Sequence, residues 1–186
     1  MFLHTPAYLG FLAAAWILNR AIKHPQRRKL VLLVLSGLFY LSFDWRFAGL
    51  LLVLTVVTYL LGRAIAAGRQ PRLMAWVSAV FSLGMLGAFK YAGFFVSSVV
   101  AALAGLGLRV QSPSLALILP IGISFYTFQA IAYSTELYRK RMQPAATFVD
   151  FALYMAFFPK IIAGPIVRSA SFLRQLESLP HHPDRE

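Results

Sequence analysis

LPIGISFYTFQAIAYSTELYRKRMQPAATFVDFALYMAFFPKIIAGPIVR, residues 119–168, sets polar and helix-breaking side chains into otherwise apolar sequence. A membrane-spanning helix needs about 20 mostly apolar residues, and polar or ionisable groups at membrane depth are costly enough to point to function. This stretch carries Gln129, Tyr133, Glu136, Asp150 and Lys160. It also carries Pro159 and the run Ala163, Gly164, Pro165, which open the helical hydrogen-bond ladder where lipid offers no replacement partner. Broken backbone at that depth implies a protein-lined cavity.

Within it, residues 115–137 read as one crossing helix with Pro120 near its start. Tyr126, Gln129, Tyr133 and Glu136 recur at i, i+3, i+7 and i+10, which at 3.6 residues per turn confines them to a stripe narrower than about a quarter-turn. Ser124, Thr127, Ala130 and Ser134 add small surfaces that let neighbouring helices approach closely. The stripe either lines a cavity or binds helix to helix, and the pattern leaves both open. Thr147 and Asp150 are spaced as a capping box, predicting a helix from Phe148 to Phe158. At about 16 Å it is too short to cross, so with Pro159, Gly164 and Pro165 it reads as a re-entrant or in-plane element. Lys160 and Arg168 flank the break, where they could contact an anionic group or reach lipid headgroups. Residues 169–179 predict a surface helix with Phe172, Leu173, Leu176 and Leu179 on one face, followed by a polar tail.

Outward from this stretch, composition sets the class. The chain has 186 residues, 59% of them hydrophobic and 13% charged, with no cysteine and a net charge of +12; mean hydropathy is +0.69. These values lie outside soluble globular composition and predict an all-α, polytopic membrane bundle of about five to six spans plus the re-entrant helix. The basic residues sit in clusters between apolar runs, which fits the orienting effect of positive loops and argues against nucleic acid. Absent cysteine excludes disulfides, thiolate metal sites and a cysteine acyl intermediate.

Residues 2–19 predict a first helix retained as a span, with Trp16 before the basic group Arg20, Lys23, Arg27, Arg28 and Lys29. That group reads as an orientation signal placed on the cytoplasmic side. Residues 30–43 and 47–61 form a helical hairpin about the turn Asp44-Trp45-Arg46. Arg63, Arg69 and Arg72 return the chain to the basic side, and residues 73–89 span again, with Lys90 and Tyr91 at the exit. If residues 92–108 lie along or dip into the far leaflet, Arg139, Lys140 and Arg141 fall on the same side as the earlier clusters, and this path is preferred.

The chemistry is sparse. There is no glycine-rich phosphate loop, no Cys/His metal spacing and no strand-borne serine motif. His4 lies near the amino terminus, His24 in a basic loop and His181 and His182 in the tail, and a flexible tail cannot hold a histidine site rigidly. Glu136 adjoins a basic cluster and Asp150 is explained by a helix cap, so neither stands out as a general base, and no catalytic residue is assigned in this chain.

Two blocks carry a family resemblance. LPIGISFYTFQAIAY at 119–133, followed by Glu136, Tyr138 and Arg139, and FALYMAFFPKIIAGPIVR at 151–168 resemble signatures of the membrane-bound O-acyltransferase family, in particular its bacterial branch that acetylates exported polysaccharides such as alginate. The loop and hairpin at 27–46 and Phe89-Lys90-Tyr91 extend the likeness over most of the chain. Lys160 departs from the family pattern, where an uncharged polar residue, often glutamine, is expected.

The resemblance implies a multi-pass protein of the bacterial inner membrane, with a central funnel through which an acyl group passes from a cytoplasmic thioester, such as acetyl-CoA or an acyl carrier, to a hydroxyl. No bound cofactor is implied. The expected partners are the bilayer, the polysaccharide acceptor and periplasmic acetyltransferases. Tyr126, Gln129, Tyr133 and Glu136 would line the acyl path, and Lys160 and Arg168 would meet donor or headgroup anions. The family's catalytic histidine lies in its carboxyl-terminal half, beyond Glu186, so this chain resembles the amino-terminal portion and is expected to be inactive alone. Other readings are D-alanyl transfer to teichoic acid by a related member, or a non-enzymatic scaffold or truncated product.

Overall fold

The computed structural model describes residues 6–105, 120, 122–163 and 167–178, and the regular structure among them is helical. Eight helices follow in order: α1 (Pro6–Ala21), α2 (Pro25–Leu41), α3 (Trp45–Ala66), α4 (Pro71–Gly105), α5 (Ile123–Tyr138), α6 (Phe148–Ala156), α7 (Phe158–Ala163) and α8 (Ser169–Glu177).

Local sequence explains most boundaries. Pro25 sits in the first turn of α2, where a missing N–H costs nothing. Asp44 caps α3 by accepting the Arg46 backbone N–H at 2.8 Å, so the tight turn between α2 and α3 is a capping device. The hairpin helices outrun their apolar cores: α2 begins in the basic loop, and α3 runs on to Ala66. Gly68 and Gln70 adopt positive φ to turn the chain into α4.

Helix α4 corrects the expected exit at Lys90. It runs 35 residues without a break, about 52 Å and well beyond a hydrocarbon core of about 30 Å. Lys90 and Tyr91 are helix-compatible and pair with each other, the Lys90 ammonium 5.4 Å from the Tyr91 ring, so nothing local stops the helix there. Helix α5 is shorter than the 23 residues expected. It begins at Ile123, three residues after Pro120, behind Gly122, which holds φ 78°; residues 115–119 lie outside the described residues.

Two helices, Trp45–Ala66 and Pro71–Tyr91, are long and apolar enough to cross a membrane. Helix α5 packs most extensively on α4 and α3. Ser78 and Ser134 share a 2.7 Å hydrogen bond between α4 and α5. Gly62 brings α3 so near α5 that a Cβ there would lie 2.7 Å from the Tyr133 ring. Helix α2 runs alongside α6 and then α7, held to the first turn of α6 by Lys29 and Asp150 and to the start of α7 by the Phe158 N–H donating to Ser36 Oγ at 3.3 Å. These contacts gather the basic clusters of 20–29, 63–72 and 139–141 at one end of the bundle. Arg28 Nε reaches Asn19 Oδ1 there, and Arg72 and Arg139 border one hollow.

Candidate functional site

The α5 stripe separates into two kinds of residue. Tyr133 is fully buried against Phe151, ring centroids 4.5 Å apart, and its hydroxyl accepts the Ala145 N–H at 3.1 Å. Glu136 is half-buried and accepts the Ser169 hydroxyl, tying the end of α5 to the start of α8; Met142 Sδ lies 3.4 Å from the same hydroxyl. Both side chains are occupied in holding elements together. Tyr126 and Gln129 are not. They are 0% and 1% exposed, yet the Tyr126 hydroxyl and both polar atoms of the Gln129 amide lack hydrogen-bond partners among the described residues.

They have company. Tyr40 on α2, Thr58 on α3 and Thr127 on α5 also hold buried oxygens without partners among the described residues. Each unmade bond in a buried site costs about 1–3 kcal/mol, so native proteins keep few of them, and those few call for a ligand, water or ion. Tyr40 also borders an apolar hollow of about 260 Å³ between α2, α3 and α6, with Leu33, Leu51 and Ala152 among its walls. The arrangement offers hydroxyl and amide groups, able to donate and accept, inside an apolar surround.

The broken segment departs from its expected form. The break falls at Phe157 (ψ 105°), not at Pro159, so α6 has 9 residues instead of 11. Pro159 then stands in the first turn of α7, where its missing N–H leaves no bond unmade. Ending α6 early orphans its last carbonyls. Lys160 reaches back to donate to the Tyr154 carbonyl at 2.5 Å, its Nζ 4.0 Å from the Tyr154 ring and 4.9 Å from the Phe172 ring. With 4% exposure it is enclosed by protein. Arg168, by contrast, is exposed at the start of α8. Phe172, Leu173 and Leu176 turn toward the bundle, where Phe172 meets Tyr154 and Phe157; the expected lipid-facing side of this helix is therefore packed on protein. Gly164, Pro165, His181 and His182 lie outside the described residues.

One constellation escaped sequence reasoning. Lys29, read as part of an orientation signal, is buried with its Nζ 2.6 Å from Asp150 Oδ1, their side chains 6% and 3% exposed. Thr147 Oγ1 donates to the other carboxylate oxygen at 2.8 Å while accepting the Asp150 N–H as the N-cap of α6; the carboxylate thus meets the Thr147 hydroxyl where a capping box would use the Thr147 N–H. The only sequence signal was a lysine at the inner edge of a basic run, directly before Leu30.

Comparison with known proteins supplies what geometry alone does not. The chain is 35% identical over 189 aligned positions to the probable alginate O-acetylase AlgI of Azotobacter vinelandii, covering all of this chain and 36% of that protein. It is 35% identical to the protein of the same name from Pseudomonas aeruginosa, again over all of this chain and 35% of the relative. A peptidoglycan O-acetyltransferase of Helicobacter pylori is 31% identical over 91% of the chain and 36% of its own length. The chain belongs to the membrane-bound O-acyltransferase family. Within that family it aligns with probable alginate O-acetylases and a peptidoglycan O-acetyltransferase, and it spans about a third of the length of the curated relatives it matches. No family model matches it, and no solved structure does.

Proposed function

We propose that this chain is the amino-terminal part of a multi-pass O-acetyltransferase of the bacterial inner membrane, one that passes acetyl groups from a cytoplasmic thioester to an exported, alginate-like polysaccharide. Identity to alginate O-acetylases along the whole chain carries the reading. The unpartnered polar groups of Tyr126 and Gln129 support an acyl path beside α5, because a passing acyl carbonyl would accept from the hydroxyl or amide that the resting fold leaves unused. In this reading Tyr133 and Glu136 shape the path by fixing the α5–α6 loop and α8, and do not touch the acyl group.

The common end of the basic clusters supports placing that end in the cytoplasm, where the donor is found. Lys160 then closes the broken end of α6, and exposed Arg168 is the better placed of the two for a donor phosphate. Acetyl transfer on this reading needs the family's carboxyl-terminal half, which supplies the catalytic histidine and faces the periplasmic partners and acceptor.

The test is complementation in a strain that exports an acetylated polysaccharide and lacks its own O-acetylase, with polymer acetyl content read by NMR. The 186-residue chain alone should give none. Adding a relative's carboxyl-terminal half in trans should restore acetyl, whereas acetylation by the short chain alone would overturn the division of labour. D-alanyl ester on the polymer in place of acetyl would overturn the assigned chemistry.

A further inference from the structure

We propose that the hollow between the first turns of α4 and the last turn of α5 is a binding site for an anionic glycerophospholipid. The hollow encloses about 380 Å³ and is bordered by Arg72 and Arg139 together with Trp76, Tyr138, Ala75 and Ala79. A second hollow of about 550 Å³ continues from it, sharing Arg72, Trp76 and Tyr138. The inference rests on the proposed membrane placement but not on acetyl transfer.

The order of the lining is that of a lipid. Along α4, Arg72, Trp76 and Ala79 follow at one-turn spacing, so charge, amphipathic ring and small apolar surface succeed one another over about 10 Å. Trp and Tyr favour the headgroup level, and small residues beneath them leave room for an acyl chain. Neither guanidinium is paired with a carboxylate among the described residues. Glu136, the sole carboxylate of α5, is engaged by the Ser169 hydroxyl. Two unpaired guanidinium forks suit a phosphodiester, which accepts charge-assisted bonds from both, and basic pockets between helices on the cytoplasmic side select anionic headgroups. A zwitterionic lipid would bring its own cation against them.

The experiment is native mass spectrometry of the chain released from neutral detergent with palmitoyl-oleoyl phosphatidylglycerol, palmitoyl-oleoyl phosphatidylcholine as the neutral control and inorganic phosphate as competitor. One phosphatidylglycerol should be retained in preference to phosphatidylcholine, and Arg72→Gln with Arg139→Gln should cut its occupancy at least fivefold. Arg69→Gln with Arg174→Gln, which removes equal charge from exposed positions outside the hollow, should change it less than twofold. Ala79→Phe, which fills the apolar end, should weaken binding with helical content by circular dichroism unchanged. Retention of phosphatidylglycerol by the Arg72/Arg139 variant, equal binding of phosphatidylcholine, or displacement by millimolar inorganic phosphate would each overturn the proposal.

Discussion

Lys29 and Asp150, one at the start of α2 and the other in the first turn of α6, form a buried ion pair 2.6 Å apart. Two groups share the carboxylate, because Thr147 donates to the oxygen that Lys29 leaves. Removing one partner from a buried pair strands the other, which costs about 3–5 kcal/mol. Lys29→Met should therefore lower stability in detergent by about that much. Lys29→Met with Asp150→Asn should recover part of the loss, since no uncompensated charge is then buried. Thermal unfolding of the three proteins checks it, and additive losses in the double variant would mean the two side chains do not interact.

Gly62 and Gly84 are both helical, and only one is crowded. A Cβ on Gly62 would fall 2.7 Å from Tyr133 Cε1 and 3.1 Å from Leu137 Cδ1, whereas Gly84 faces open space. Tyr133 cannot yield cheaply, because its hydroxyl is held by Ala145 and its ring by Phe151. Gly62→Ala should destabilise by about 1–3 kcal/mol through overpacking. Gly84→Ala should be neutral or stabilise by up to about 1 kcal/mol through helix propensity. Opposite signs in unfolding midpoint are the expected result.

Tyr133→Phe leaves the Ala145 N–H without an acceptor in a buried site and should cost about 1–3 kcal/mol. Hydrogen exchange at Ala145 should rise with it. Tyr126→Phe removes a hydroxyl that has no partner among the described residues, so it should leave stability unchanged or slightly raised.

Lys160 holds the Tyr154 carbonyl across the break at Phe157 and lies against the ring of Phe172 on α8. Lys160→Met should strand that carbonyl, cost about 1–3 kcal/mol and speed proteolysis at α8. Lys160→Gln keeps a donor of shorter reach and should lose less. Equal losses in the two variants would assign the role to packing and not to the hydrogen bond.

What was legible in the sequence was mostly local. Thr147 and Asp150 announced their helix start because the capping box is written in four consecutive residues, and the Asp44 turn was marked by polar residues between apolar runs. The polar stripe of α5 was visible from spacing, but not its division into occupied and unoccupied groups. That division depends on Ala145 and Ser169, which come from other elements. Lys29 was hidden for the same reason: its place directly before Leu30 is all that sets it apart in sequence from four neighbouring cations, and its partner Asp150 comes from another element. The continuity of α4 through Lys90 is not legible from hydropathy, because a charge marks a membrane exit without breaking a helix. Phe157 took the break that Pro159 was expected to make, since proline fits the first turn of the next helix better than the interior of the last.

The most direct measurement is Gln129→Leu in the complete enzyme, read for unfolding midpoint and for acetyl transferred to polymer. Gln129 is 1% exposed with neither amide atom partnered among the described residues, so an apolar replacement should leave stability unchanged or raise it by about 1–3 kcal/mol. If its amide serves the acyl path, transfer should nevertheless fall about tenfold, the loss of about one hydrogen bond to the reacting group. A destabilised protein with full acetyl transfer would contradict this and make Gln129 helix-to-helix glue.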